Sequence, residues 1–88
     1  MRLIFSPTAK EHYDFWKTTN PRIADRIKLL LRDICEHPFT GIGKPEPLKG
    51  NLKGIWSRRI NSEHRILYEV SENDIIIHIL SMKYHYKR

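Results

Sequence analysis

Residues 56–70 read Trp56-Ser57-Arg58-Arg59-Ile60-Asn61-Ser62-Glu63-His64-Arg65-Ile66-Leu67-Tyr68-Glu69-Val70. Two β-rich runs flank a polar Asn-Ser-Glu break, which is the signature of a hairpin. The apolar residues Trp56, Ile60, Ile66, Tyr68 and Val70 all carry even numbers. One buried face therefore requires a register in which opposed residue numbers have an even sum, because a one-residue slip would turn one strand over. A three-residue turn at 61–63 meets that requirement by placing Ile60 opposite His64. Arg59 then lies opposite Arg65, on the face away from the core. Like charges directly across a sheet repel, so an anion is expected between them.

Outward from the hairpin, Ser71-Glu72-Asn73-Asp74 is a second turn, and residues 75–84 form a third strand after strands at 54–60 and 64–70. A loop rich in Gly and Pro runs back from about Leu52 to Pro38. Loops this long in a small domain tend to be functional. Before it, Asn20-Pro21 supplies an N-cap and a proline at the first helical position. Ile23, Ile27, Leu30, Leu31 and Ile34 then form one apolar stripe of a helix. Ser6-Pro7 repeats the start signal for an earlier helix carrying Ala9, Tyr13 and Trp16. Residues 1–5 alternate as a short strand. The expected order is βααβββ: an α+β fold, with an antiparallel-rich sheet and a helical hairpin packed on one face.

The 88 residues fit one domain spanning 1–88, and the 40% hydrophobic and 30% charged content is that of a globular chain. Cys35 is the single cysteine, which excludes an internal disulfide and fits a reducing, cytoplasmic setting. Residues 1–5 lead straight into polar sequence, so neither a signal peptide nor a membrane span is expected. The net charge of +6 is concentrated. From Lys44 to Arg65 the cations Lys44, Lys49, Lys53, Arg58, Arg59 and Arg65 face only Glu46 and Glu63. Such clustering favours a polyanionic partner, although many small domains are basic for solubility alone.

Within the loop, Gly43-Lys44-Pro45-Glu46-Pro47-Leu48-Lys49 holds one acid between two prolines, which fix φ and stiffen the segment. Near the other end stands Tyr84-His85-Tyr86. Metal-free RNA cleavage needs a base for the 2′-hydroxyl, an acid for the leaving 5′-oxygen, cations for the phosphoryl oxygens and a means of aligning the bases. Glu46 is the candidate base and His85 the candidate acid, since imidazole titrates near neutrality. Arg59, Arg65 and Lys49 are candidate phosphate ligands, and Tyr84 and Tyr86 can stack on bases or donate to the phosphate. Each has a plainer reading: Glu46 as a surface ion pair with Lys44 or Lys49, His85 as a solvated histidine, and Arg59 and Arg65 as solvent-facing polar residues. Tyr84 shares the parity of Ile76, Leu80 and Met82 and so reads as core, as do Trp16 and Trp56. His12, His37, His64, His78 and His85 show no metal-ligand spacing.

Gly41 to Lys49, Leu52 to Ile60 with its Trp56-Ser57-Arg58-Arg59-Ile60, Glu63 to Tyr68 and Tyr84-His85-Tyr86 together resemble the YoeB toxins of the RelE superfamily. The resemblance covers essentially the whole chain. It implies a RelE-like fold and a ribosome-dependent mRNA endonuclease (an mRNA interferase) that cuts in the A site of the 70S ribosome and inhibits translation. By the same resemblance Glu46 is the base and His85 the acid. Lys49, Arg59 and Arg65 match the family's phosphate-contacting residues, and Tyr86 is its C-terminal tyrosine; Lys44 and Lys53 are candidate RNA contacts from the basic clustering. The implied products are a 2′,3′-cyclic phosphate or 3′-phosphate and a 5′-hydroxyl. The implied partners are mRNA on the ribosome, a cognate YefM-like antitoxin and a second copy of the chain; no cofactor is implied. The chain departs from the family in continuing with Lys87-Arg88 and in carrying Lys83 where relatives often have arginine.

Two other functions fit the same fold: a ParE-like inhibitor that binds DNA gyrase, and a silent RNA- or ribosome-binding module. A gyrase binder has no need of Glu46 with His85, and a silent module needs only the basic strip. In a regular strand His85 and Tyr86 point to opposite faces, so both serve one site only if the strand ends there.

Overall fold

The computed structural model describes residues 2–71 and 76–83. Its elements are β1 (Arg2–Phe5), α1 (Pro7–Thr19), α2 (Pro21–Glu36), β2 (Glu46–Pro47), a single 3-10 turn (Gly50–Leu52), β3 (Trp56–Arg59), β4 (Arg65–Val70) and β5 (Ile76–Ser81). The strands form one sheet in the order β1-β5-β4-β3-β2. β1 runs parallel to β5, and every other pair is antiparallel. The α+β reading holds, with β2 added inside what the sequence presents as loop.

The helix starts follow their caps. Ser6 Oγ accepts from the Ala9 amide at 3.0 Å and donates to Leu80 O at 2.8 Å, so the cap also ties α1 to β5. Asn20 ends α1 through its own amide, which donates to Trp16 O, and starts α2 by accepting from Ile23 N. One residue thus serves as both caps, which makes the helical hairpin tight. α2 buries Ala24, Ile27, Leu30, Leu31 and Ile34. Full burial of each large apolar side chain contributes roughly 1.5–3 kcal/mol. These residues and Ala9 and Trp16 of α1 pack on Ile60, Ile66, Tyr68, Ile77, Ile79 and Met82 from the sheet side.

The β3–β4 register is the expected one: Trp56 opposes Tyr68, Arg58 opposes Ile66 and Arg59 opposes Arg65. Asn61 Oδ1 fixes the turn by accepting from the amides of Glu63 and His64 at 2.9 and 2.7 Å. In β5 the expected parity is wrong. Ile77 and Ile79 are fully buried, and the pairing slips from Tyr68↔Ile79 to Leu67↔Ser81. Leu80 is therefore a bulge residue, and it brings Met82 to the face of Ile77 and Ile79. Tyr84, assigned to the core on the unbroken parity, lies outside the described residues.

Candidate functional site

Two residues of the proline-bracketed segment pair with β3: Glu46 opposite Ser57 and Pro47 opposite Trp56. Beyond them Leu48 N donates to Ile55 O at 2.8 Å, and on the other side Arg59 N donates to Gly43 O at 2.6 Å. β2 is an edge strand, the position where prolines are tolerated because one row of amides needs no partner. Cross-strand partners share a face. Glu46, Ser57, Leu67 and Ser81 therefore form one row across the sheet on the side away from the helices. Arg59 and Arg65 form the neighbouring row, two residues along β3 and β4. Glu46 and Arg59 are thus diagonal neighbours, a relation that sets such residues about 7–8 Å apart.

The two arginines differ. Arg59 is exposed, whereas Arg65 is half-buried and donates from Nη1 to Asn61 O at 2.8 Å and to His64 O at 3.1 Å. Lys44, at positive φ, stands at the Arg59 end of β2, while Lys49 and Lys53 flank the 3-10 turn at the other end. All three lysines are exposed. Their chain positions put Lys44 and Lys49 on either side of Glu46 and Lys53 at the hairpin tip.

Arg58 departs most from the sequence reading, which counts it among the cations open to a polyanion. It has no exposed surface. It shares the inward parity of Trp56 and Ile60, and its guanidinium is surrounded. Nη1 contacts Asp33 Oδ2 and donates to Ile42 O at 3.2 Å; Nη2 donates to His37 O and, at 2.8 Å, to Thr40 O; Nε donates to Tyr68 Oη at 3.1 Å. Tyr68 Oη in turn donates to Pro38 O at 2.6 Å. The hydrogen bond from Arg58 holds the Asp33 carboxyl below the ordinary aspartate range despite the opposing effect of desolvation. Burial pushes the Tyr68 phenol upward, with Arg58 opposing, so it keeps the proton it gives to Pro38.

His85 and Tyr86, the predicted acid and its neighbour, lie outside the described residues. The chain leading to them is held at Met82. His12 Nδ1 accepts from Met82 N at 3.0 Å, and Trp16 Nε1 donates to Met82 O at 2.9 Å. Lys83 Nζ then sits 3.8 Å from the centre of the Phe15 ring. His12 and Trp16 are four apart, one turn of the same helix face, a spacing that could have been read from the sequence. The row from Ser81 to Glu46 crosses three strand spacings, about 14 Å.

Because His12 Nδ1 is an acceptor, its imidazole must be neutral. Burial, and then the charge of Lys83, lower its pKa, while Glu11 pulls the other way. The unfolded chain therefore takes up the proton first, near the ordinary value of about 6.5, and stability falls as pH drops below that value. The thermal midpoint of the protein is expected to fall more between pH 7 and pH 5 than that of His12→Asn, whose amide oxygen can accept without titrating. Equal falls in the two proteins would refute the assignment.

A family model for the YoeB-like toxin of bacterial type II toxin–antitoxin systems matches residues 5–86. Toxin YoeB of Escherichia coli (strain K12) is 45% identical over 86 residues, covering 98% of this chain and 100% of that one. Among solved structures, a YoeB/ParE toxin from Agrobacterium tumefaciens matches with a TM-score of 0.94 at 41% identity, over 98% of this chain and 100% of that one. A YoeB–YefM complex from Staphylococcus aureus matches at 0.87 with 46% identity over 98% of both chains, and a YoeB dimer from the same organism at 0.87 with 45% identity over 98% of both. With a match across nearly its full length in sequence and fold, this chain belongs to the YoeB-like toxins of bacterial type II toxin–antitoxin systems.

Proposed function

We propose that the chain is an mRNA interferase, a ribosome-dependent endoribonuclease that cuts mRNA in the A site of the 70S ribosome and so stops translation in the cytoplasm. The observation that carries this reading is the placement of Glu46 beside the Arg59–Arg65 pair on the sheet face away from the helices. A carboxylate that only balanced lysines would not need an arginine as its diagonal neighbour on the same face. In this reading a phosphodiester binds beside Arg59 and Arg65, and Glu46 then stands next to the scissile group. Glu46 takes the proton of the 2′-hydroxyl, and the 2′-oxygen attacks phosphorus. The bond from phosphorus to the 5′-oxygen breaks, and His85 delivers a proton to that oxygen. Arg59, Arg65 and Lys49 offset the charge on the phosphoryl oxygens, Tyr86 stacks on a base or donates to the phosphate, and Lys44 and Lys53 add backbone contacts along the strip. The products are a 2′,3′-cyclic phosphate, which can open to a 3′-phosphate, and a 5′-hydroxyl.

The partners follow the relatives. Solved YoeB structures from S. aureus include a complex with YefM and a dimer, and here a YefM-like antitoxin and a second copy are the proposed protein partners. Primer extension on ribosome-bound mRNA, with and without the protein, tests the reading: stops should arise only when translating ribosomes are present. Inhibition of gyrase supercoiling with intact mRNA would instead establish the ParE-like function.

Arg59→Ala is expected to slow cleavage about 10²–10³-fold, the range for loss of a charge-stabilising donor. Unfolding free energy should change by no more than about 0.5 kcal/mol, because the side chain is exposed. Arg65→Ala should slow cleavage as well and also lower stability, through the lost bonds to Asn61 and His64. Lys10→Ala, exposed on α1, should do neither. Rates for Arg59→Ala equal to those of Lys10→Ala would remove Arg59 from the site.

A further inference from the structure

Residues 38–42 lead from α2 to β2, and among the described residues no backbone–backbone hydrogen bond outside the helices and strands involves them. Their polar groups turn to side chains instead. The carbonyls of Thr40 and Ile42, with that of His37 just before them, accept from Arg58. The carbonyl of Pro38 accepts from Tyr68 Oη, and the amide of Ile42 donates to Asp33 Oδ2 at 3.1 Å. The segment is therefore ordered by one guanidinium, one phenol and one carboxylate, from β3, β4 and α2 respectively.

We infer that this buried Arg58–Tyr68–Asp33 hub positions Glu46 for proton transfer, an inference that rests on the base role proposed for Glu46. The path is short. Arg58 and Arg59 are adjacent on β3 and point to opposite faces, so the strand that presents Arg59 to phosphate also grips the loop through Arg58. Gly43 follows the gripped segment. It has φ +79°, and a Cβ there would lie 2.7 Å from Leu30 Cδ2 and 3.0 Å from Arg59 O, so backbone passes where no side chain fits. Three residues later comes Glu46, between Pro45 and Pro47, which leave little slack for the chain to absorb a shift. A displacement at Ile42 is thus passed on to the carboxylate, and a misplacement of about 1 Å can cost on the order of 100-fold in rate. Asp33, Tyr68 and Arg58 touch no substrate in this account. They are positioning residues.

Tyr68→Phe removes one anchor of the segment and the acceptor of Arg58 Nε while keeping the ring in the core. Single-turnover cleavage of ribosome-bound mRNA by the full chain is expected to fall about 10- to 100-fold, with ribosome affinity within about twofold of the original. The discriminating measurement is the same substitution in a Glu46→Gln background, where the residual rate should fall by less than about twofold, since the two changes act through one group. An equal fractional loss in both backgrounds, or an unchanged rate in folded Tyr68→Phe, would overturn the inference. Asp33→Asn, which keeps the side-chain shape, should show the same non-additivity and serves if Tyr68→Phe does not fold. Undiminished cleavage by Glu46→Gln alone would overturn the base assignment and the inference with it. Loss in Glu46→Gln with full additivity would overturn the inference and leave the base assignment standing.

Discussion

Glu46→Gln is expected to lower the single-turnover rate of mRNA cleavage by about 10²–10⁴-fold, the range for loss of a positioned general base. Glutamine keeps the size and hydrogen-bonding reach of the side chain but cannot accept the 2′-hydroxyl proton. The position is exposed on an edge strand, so the fold should be unaffected, with a stability change within about 0.5 kcal/mol. The loss should be in the chemical step: binding to ribosomes, read by co-sedimentation, should match the unmodified protein. His85→Ala is expected to fall in the same range, and the double variant should be little worse than either alone, because an acid and a base acting on one phosphate work as a unit. Unmodified cleavage rates in both single variants would end the acid–base account and leave a binding function. A loss in binding alone would point to Glu46 as a docking residue.

What could be read from the sequence divides along a physical line. The β3–β4 register was legible because Trp56, Ile60, Ile66, Tyr68 and Val70 share a parity and a three-residue turn fixes the phase. Both helices were legible because Ser6 and Asn20 cap them and proline follows each cap. Arg58 was not, although its parity was in view between Trp56 and Ile60. A charge is buried only when partnered, and its partners are a carboxylate 25 residues away and carbonyls of a loop with no regular pattern. β2 has no alternation to read, since it is two residues long and exists only through pairing with β3. The Leu80 bulge is likewise silent in sequence, and a parity argument carried across it fails. For the candidate site, the shared face of Glu46, Arg59 and Arg65 needed both registers, and only that of β3 with β4 could be derived.

Arg58→Met is expected to destabilise the protein by about 3–5 kcal/mol, since each of three loop carbonyls left without its donor costs on the order of 1 kcal/mol or more and the partly buried Asp33 loses its partner. Methionine fills much of the volume, so the loss is electrostatic more than steric. It leaves Asp33 without its guanidinium, the carbonyls of His37, Thr40 and Ile42 without their donor, and Tyr68 Oη without one of its two bonds. A domain of this length has roughly 4–13 kcal/mol in total, and each kcal/mol moves the thermal midpoint by about 4–8 °C, so a fall of about 12–40 °C should be seen by thermal or denaturant unfolding at pH 7. The size of the effect should depend on acidity. Arg58 depresses the Asp33 pKa, so the pair stabilises the fold above the unfolded aspartate value of about 3.9, and that part is lost as pH falls through the lower folded value. In Arg58→Met the depression is gone, and the stability gap between the two proteins should narrow at pH 3. Arg58→Lys separates charge from geometry: it retains a cation for Asp33 but cannot span three carbonyls and a phenol with a planar fork. Its loss should fall between the two, with the same narrowing at low pH. A lysine variant as stable as the original would mean that charge alone holds the hub, and that the loop carbonyls are satisfied in some other way.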